Sequence, residues 1–329
     1  MFVDTEAGPP PPYDPECGAV LATLPSFPPL TLDSIPAMRA GAAAYMPRPT
    51  NAELARGGSY SVEERTVPGP PGAPDVALII CTPVGATATA AVPALYYTHG
   101  GGMITGTARD ALGDELDLAE QVGAALVSVE YRLAPETPHP GPVEDCYAGL
   151  VWTAEHAGEL GIDPNRIVLL GGSAGGGIAA ALALMSRDRG GPALAGQLLM
   201  CPMLDDRNDT PSVRQMAGGR MWNRSANEVG WTALLGEARG GPDVSPYAAP
   251  SRATDLSGLP PAFIDVGSAD SFRSEDVEYA ERIWLAGGVA ELHVWPGGFH
   301  GFGGIAPTAA LSKAAVAARA DWLRRLLTP

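Results

Sequence analysis

The stretch Gly171-Gly172-Ser173-Ala174-Gly175 sets a serine between an apolar run, RIVLLGG, and an Ala-rich segment, IAAALALM. G-x-S-x-G in that setting predicts a nucleophile elbow, a strand-to-helix turn so tight that its serine leaves the ordinary backbone regions. Flanking glycines keep side chains clear of the neighbouring strands. Gly-rich turns also bind phosphates at helix N-termini, and Gly175-x-Gly177-x-x-Ala180 loosely matches a dinucleotide fingerprint. That match begins inside the expected helix and no G-x-x-x-x-G-K-[ST] occurs, so nucleophilic catalysis is the better reading.

A serine hydroxyl attacks only once a base takes its proton, and the base must be oriented by a carboxylate. After an elbow of this kind the acid and then the histidine follow along the chain. Only His293 and His300 follow Ser173. His293 stands in the alternating run ELHVW and reads as a structural strand side chain, whereas His300 lies in the Gly-rich PGGFHGFGG just past that strand. Loops at strand ends carry catalytic groups, which selects His300. The acid should follow PAFIDVG; Asp265 lies within that run, and Glu275 and Asp276 suit the N-terminus of the next helix, which leaves Asp270. Charge on a tetrahedral intermediate needs fixed N–H donors. Ala174 supplies one, and Gly101 and Gly102 of THGGGMITG supply others, because glycines let the backbone come within hydrogen-bond reach of an oxyanion.

These residues need a scaffold. β-rich runs at residues 76–83, 93–99, 125–132, 166–172, 196–202, 261–267 and 291–297 alternate with helix-length segments at 110–122, 143–160, 175–187, 275–286 and the C-terminus. That alternation predicts an α/β fold, a mostly parallel central sheet covered by helices on both faces. In the last helix Pro307 suits the first turn, and Arg324 and Arg325 the last. The gap from about 204 to 260 is too long for an ordinary connection. With residues 1–57, which hold a Pro-rich start and a possible helix at 33–45, it is expected to form a helical cap; residues 58–203 and 261–329 are then the catalytic domain. Met103, beside the glycines, and Trp222 and Trp231, in the insertion, are candidate pocket residues, although the tryptophans would equally serve a small cap core. No internal repeat is visible.

Composition narrows the partners. With 21 basic against 37 acidic residues the formal charge is −16, which disfavours nucleic acid and anionic membranes. The acidic, Pro-rich N-terminus lacks the basic and apolar pattern of a leader, and no 18-residue apolar run follows, so stable membrane association is not expected and a cytoplasmic location is. Cys17, Cys81, Cys146 and Cys201 are widely spaced, form no C-x-x-C pair, and have no histidine at metal-ligand spacing; they read as reduced, buried thiols.

The chain resembles the hormone-sensitive-lipase family of carboxylesterases with the α/β-hydrolase fold. The resemblance rests on HGGG at 99–102, YRLAPE at 131–136, VEDC at 143–146, GGSAGG at 171–176, SPYAAP at 245–250, LPPAFIDVGSAD at 259–270 and FHGF at 299–302. It spans roughly residues 76–327. It implies a triad of Ser173, Asp270 and His300, an oxyanion hole of the Gly101, Gly102 and Ala174 amides, and His99 as a loop-ordering residue. No metal or organic cofactor is implied; a homodimer is. The implied activity is hydrolysis of short- to medium-chain acyl esters of an uncharged alcohol. The same triad would serve an amidase, lactonase or deacylase, and relatives also include non-catalytic small-molecule receptors, which the intact triad disfavours. Arg132, Glu136, Glu144 and Asp145 are expected to form a structural ion network. One departure stands out: Gly172 occupies a position where the family usually has Asp, Glu or Thr.

Overall fold

The computed structural model describes residues 8–26, 28–42 and 48–328. All seven expected runs are strands, and an eighth precedes them. In chain order they are β1 (Tyr60–Val67), β2 (Val76–Pro83), β3 (Val92–Thr98), β4 (Ala125–Glu130), β5 (Ile162–Gly172), β6 (Gly196–Met200), β7 (Ala262–Ala269) and β8 (Ala290–Phe299). They form one sheet in the order β1-β2-β4-β3-β5-β6-β7-β8. β2 runs antiparallel to β1 and β4, and every other pairing is parallel. β1 escapes pattern reading because YSVEERTV buries only Tyr60 and Val67. It is an edge strand whose charges face water, a composition that discourages further pairing.

Among the described residues, α1 (Pro15–Thr23), α2 (Ile35–Ala42) and α3 (Asn51–Leu54) precede β1. The expected helix at 33–45 is thus α2 led by a 3-10 turn, and its residues 43–45 fall outside the described ones. Then follow α4 (Leu112–Glu120), α5 (Gly141–Glu155), α6 (Ala157–Leu160), α7 (Ala174–Arg189), α8 (Pro211–Gln215), α9 (Arg224–Leu235), α10 (Arg273–Leu285), α11 (Phe302–Ile305) and α12 (Ala310–Leu327). Two details differ from expectation. The helix expected over 143–160 breaks at His156 into α5 and α6. Pro307 sits in a turn ahead of α12, because Glu16 of α1 takes the Ala310 amide at 2.7 Å and the helix begins there.

The sheet is covered on both faces. One core packs α5, α7 and α10 through Leu150, Ile178, Leu182 and Ile283; the other packs α4 and α12 through Leu112, Leu116, Trp322 and Leu323. α7 is buried from Ala174 to Ser186, so it has no wet face. Its glycines answer to backbone approach: a Cβ on Gly175 would lie 1.9 Å from the Thr98 carbonyl oxygen, and one on Gly177 2.2 Å from that of Met203. The Gly175/Gly177/Ala180 spacing is therefore used for packing, with no room for a phosphate. Between β6 and β7 the chain carries α8 and α9, and fully buried Asp206 binds the later part of this segment, taking two hydrogen bonds from Arg252 at 2.7 and 3.0 Å and one from the Gly240 amide. Among the described residues no helix is long and apolar enough to cross a membrane.

Candidate active site

Ser173 is the first residue after β5, with φ 57° and ψ −122°. A non-glycine residue held there costs about 1–3 kcal/mol and persists only where neighbours over-determine it. They do: the Ser173 amide donates to the Met200 carbonyl at 2.8 Å, and its own carbonyl accepts from Gly177 at 3.0 Å and Met203 at 2.9 Å. Gly171 has no room for a side chain, since a Cβ would be 2.4 Å from the Gly175 oxygen. Gly172 does, with its nearest neighbour, the Met200 Cε, at 3.7 Å.

Asp270 follows β7 and His300 follows β8, so three strand ends deliver three groups to one edge of the sheet. His300 Nε2 lies 2.9 Å from Ser173 Oγ, and His300 Nδ1 lies 2.9 Å from Asp270 Oδ2. With Nδ1–H donating to the carboxylate, Nε2 is left to accept the serine proton. The Asp270 side chain is fully buried, and its other oxygen accepts the Phe272 amide at 2.9 Å. Phe272 also meets the imidazole edge-on at 5.1 Å. Burial disfavours the imidazolium, but the Asp270 charge and hydrogen bond, with Cys201 beside them, outweigh it and hold His300 well above its ordinary 6.5.

β3 leads into His99, Gly100, Gly101 and Gly102. Gly101 opens a tight turn whose Ile104 and Thr105 amides donate to its carbonyl at 3.1 and 3.0 Å. Its φ is +115°, and a Cβ would strike the Thr105 oxygen at 2.1 Å. Gly102, at φ +61°, lies under the Trp222 indole. Among the described residues nothing accepts a hydrogen bond from the Gly101 or Gly102 amide, and Ala174 opens α7, where early helical amides lack intrahelical partners. His99 is fully buried; it stacks on Tyr131 at 4.1 Å, and its Nδ1 lies 2.8 Å from the Gly100 oxygen. Burial pulls its pKa down to about 4, so it is neutral and braces the loop.

One small cavity reaches the triad at His300 and is lined by Tyr13, Met216, Met221, Trp222 and Phe299. Another is lined by Met103, His139, Val143, Ile178, Leu234 and Tyr247. Met103 and Trp222 thus each line one cavity. Trp231 lines neither: it is fully buried in the main core.

The expected four-residue ion network is instead three separate pairs. Arg132 holds Asp145 through two contacts at 2.6 and 2.7 Å, and Glu144 pairs with Arg189 of α7. Glu136 pairs with Arg39 of α2, which also donates to the carbonyls of Ile104 and Ala134 and so ties an N-terminal helix to the glycine loop. His293 bonds Glu291 and stacks on Phe263 and Trp295, as a strand side chain. Asp265 takes Arg319 and Trp295. Glu275 accepts the Leu204 and Asp205 amides, while among the described residues neither oxygen of fully buried Asp276 has a partner.

Cys201 was missed. Unlike the other three cysteines it is only partly buried, and its sulfur lies within 4.8 Å of ligand atoms of Asp270 and His300. The usable signal is topological. β3, β5, β6, β7 and β8 are followed directly by His99, Ser173, Cys201, Asp270 and His300. The strand reading that ran through residue 202 hid this, because β6 ends at Met200.

A sheet of this order with a serine, histidine and carboxylate at its strand ends defines the α/β-hydrolase class. A family model described as alpha/beta hydrolase fold matches residues 95–303, and the chain belongs to that family, in its hormone-sensitive-lipase-like branch. It is 39% identical over 249 residues to carboxylesterase NlhH of Mycobacterium tuberculosis, covering 73% of this chain and 75% of that one. It is 37% identical over 223 residues to esterase LipI of the same species, covering 67% and 69%. Among solved structures, a bacterial heroin esterase superposes with a TM-score of 0.88 at 42% identity, covering 96% of this chain and 98% of its own.

Proposed function

We propose that this chain is a serine carboxylesterase working through an acyl-enzyme, with Ser173 as nucleophile, His300 as base and then acid, and Asp270 as its orienting partner. The observation that carries this reading is the pair of 2.9 Å contacts running Ser173, His300, Asp270. Ser173 Oγ attacks the ester carbonyl while His300 Nε2 takes its proton. The oxyanion is held by the amides of Gly101, Gly102 and Ala174, each worth about 3 kcal/mol of barrier. His300 returns the proton to the leaving alcohol, and water, activated by the same imidazole, releases the acid.

Apolar linings, with Met103, Val143, Ile178 and Leu234 about one cavity and Met216, Trp222 and Phe299 about the other, support uncharged short- to medium-chain substrates. Residues 1–57 and 204–260 are the cap of this reading, over a catalytic domain of 58–203 and 261–329. Tyr13 and Trp222 reaching the His300 cavity support that division. Four unpaired cysteines fit a reducing, cytoplasmic setting, and a homodimer belongs to the reading by family likeness. Hydrolysis of p-nitrophenyl esters of rising acyl length, beside matched amides and lactones, tests it. Turnover should peak at short to medium esters; a preference for amides or lactones would move the activity to another acyl bond.

A further inference from the structure

We propose that Cys201, Asp270 and His300 together form a binding site for a soft divalent cation of the zinc and cadmium type, occupancy of which shuts the esterase down. The inhibition rests on reading His300 as the catalytic base; the binding does not.

The ligand atoms come first. A thiol sulfur, a carboxylate oxygen and an imidazole nitrogen lie within 4.8 Å of one another. Bonds of about 2.0–2.3 Å in a tetrahedral site put ligands about 3.5 Å apart, so the three groups must adjust from separations of up to 4.8 Å, the 2.9 Å His300–Asp270 contact included. Mixed sulfur, nitrogen and oxygen donors suit zinc or cadmium and disfavour magnesium or calcium. Cys201 is also the accessible thiol, since Cys17, Cys81 and Cys146 are buried. Its φ of +39°, unusual for a residue with a Cβ, is held by a 2.6 Å hydrogen bond from its amide to the Asp265 carbonyl.

The nearby cations are committed elsewhere: Arg319 pairs with Asp265 at 2.8 Å, and Arg273 donates to the Ser268 carbonyl and to Gln215. Binding releases the Cys201 thiol proton to solvent as the metal–sulfur bond forms, and the metal takes the lone pair of one His300 nitrogen: at Nε2 it displaces Ser173, and at Nδ1 it displaces Asp270 while the ring proton moves to Nε2. Ser173 then has no base.

The test is a Cd²⁺ titration of the intact protein, read both by esterase rate and by thiolate-to-metal charge-transfer absorbance. Wild type should lose activity reversibly, recover with a chelator, and show the band at one equivalent. Cys201→Ser should lack the band and need at least about tenfold more Cd²⁺ for half-inhibition of its own metal-free rate. Ser173→Ala should keep the band, so binding is read without turnover. If Ser173→Ala stays active, the triad reading falls while the absorbance still decides the site. An unchanged band or unchanged inhibition in Cys201→Ser would overturn the proposal.

Discussion

The Trp222 ring fills the space that a side chain on Gly102 would take: a Cβ there would stand 2.0 Å from its Cη2. The indole is fixed by its own N–H, which donates to Asn227 at 3.0 Å. The glycine is therefore required by a neighbouring ring and a left-handed φ, where the sequence alone suggested only clearance for an oxyanion. Gly102→Ala should lower kcat by about 10²–10³, the loss of one donor. Trp222→Ala in the same chain should restore part of that by removing the clash while the backbone strain stays. A double-mutant cycle measures this; additive losses would show that the two sites are not coupled.

His300 sets the pH dependence. A base must be unprotonated, so kcat/KM should rise with pH through the His300 pKa, which Asp270 holds above 6.5 against the pull of burial. Asp270→Asn removes the charge that raises it. The acid limb should then move to lower pH while the plateau falls by about 10⁴. A limb that stays in place in Asp270→Asn would separate the two residues.

The elbow glycines should differ sharply. Gly172→Ala meets only an ordinary contact at 3.7 Å and should leave the fold and most activity intact, with a stability gain of about 0.4–1 kcal/mol from a stiffer unfolded chain. Gly171→Ala drives a Cβ to 2.4 Å from the Gly175 carbonyl and should prevent the turn. Expression, melting temperature and turnover of the pair check this. The open space at Gly172 also shows that the missing family side chain leaves no steric scar.

What could be read beforehand was whatever local pattern controls. Apolar runs bounded by turn residues located seven strands, and chain order with loop position singled out Ser173, Asp270 and His300 for one site. Long-range partners were not legible. β1 hid because its faces are wet, Trp231 because tryptophan spacing does not tell pocket from core, and Glu136 because its partner, Arg39, is far away in sequence. Cys201 was lost to a strand read two residues too long.

Glu115 of α4 gives a stability test. Burial raises its carboxyl to about 7 from an ordinary 4.5. The folded state therefore binds more protons than the unfolded state between those values, and this group's contribution is full below pH 4.5 and lost as pH rises through 7. Glu115→Gln should gain stability relative to wild type across that window, by on the order of 3 kcal/mol at its upper end. Melting temperatures at acidic and mildly alkaline pH test the sign.

The central claim is that Ser173 becomes acylated. Folded protein should be treated with a fluorophosphonate, and the modified peptide identified by mass spectrometry. The account predicts one adduct, on Ser173 Oγ, formed in step with loss of esterase activity and largely absent in His300→Asn. Full ester hydrolysis with Ser173 unmodified, or an adduct on another serine, would contradict it.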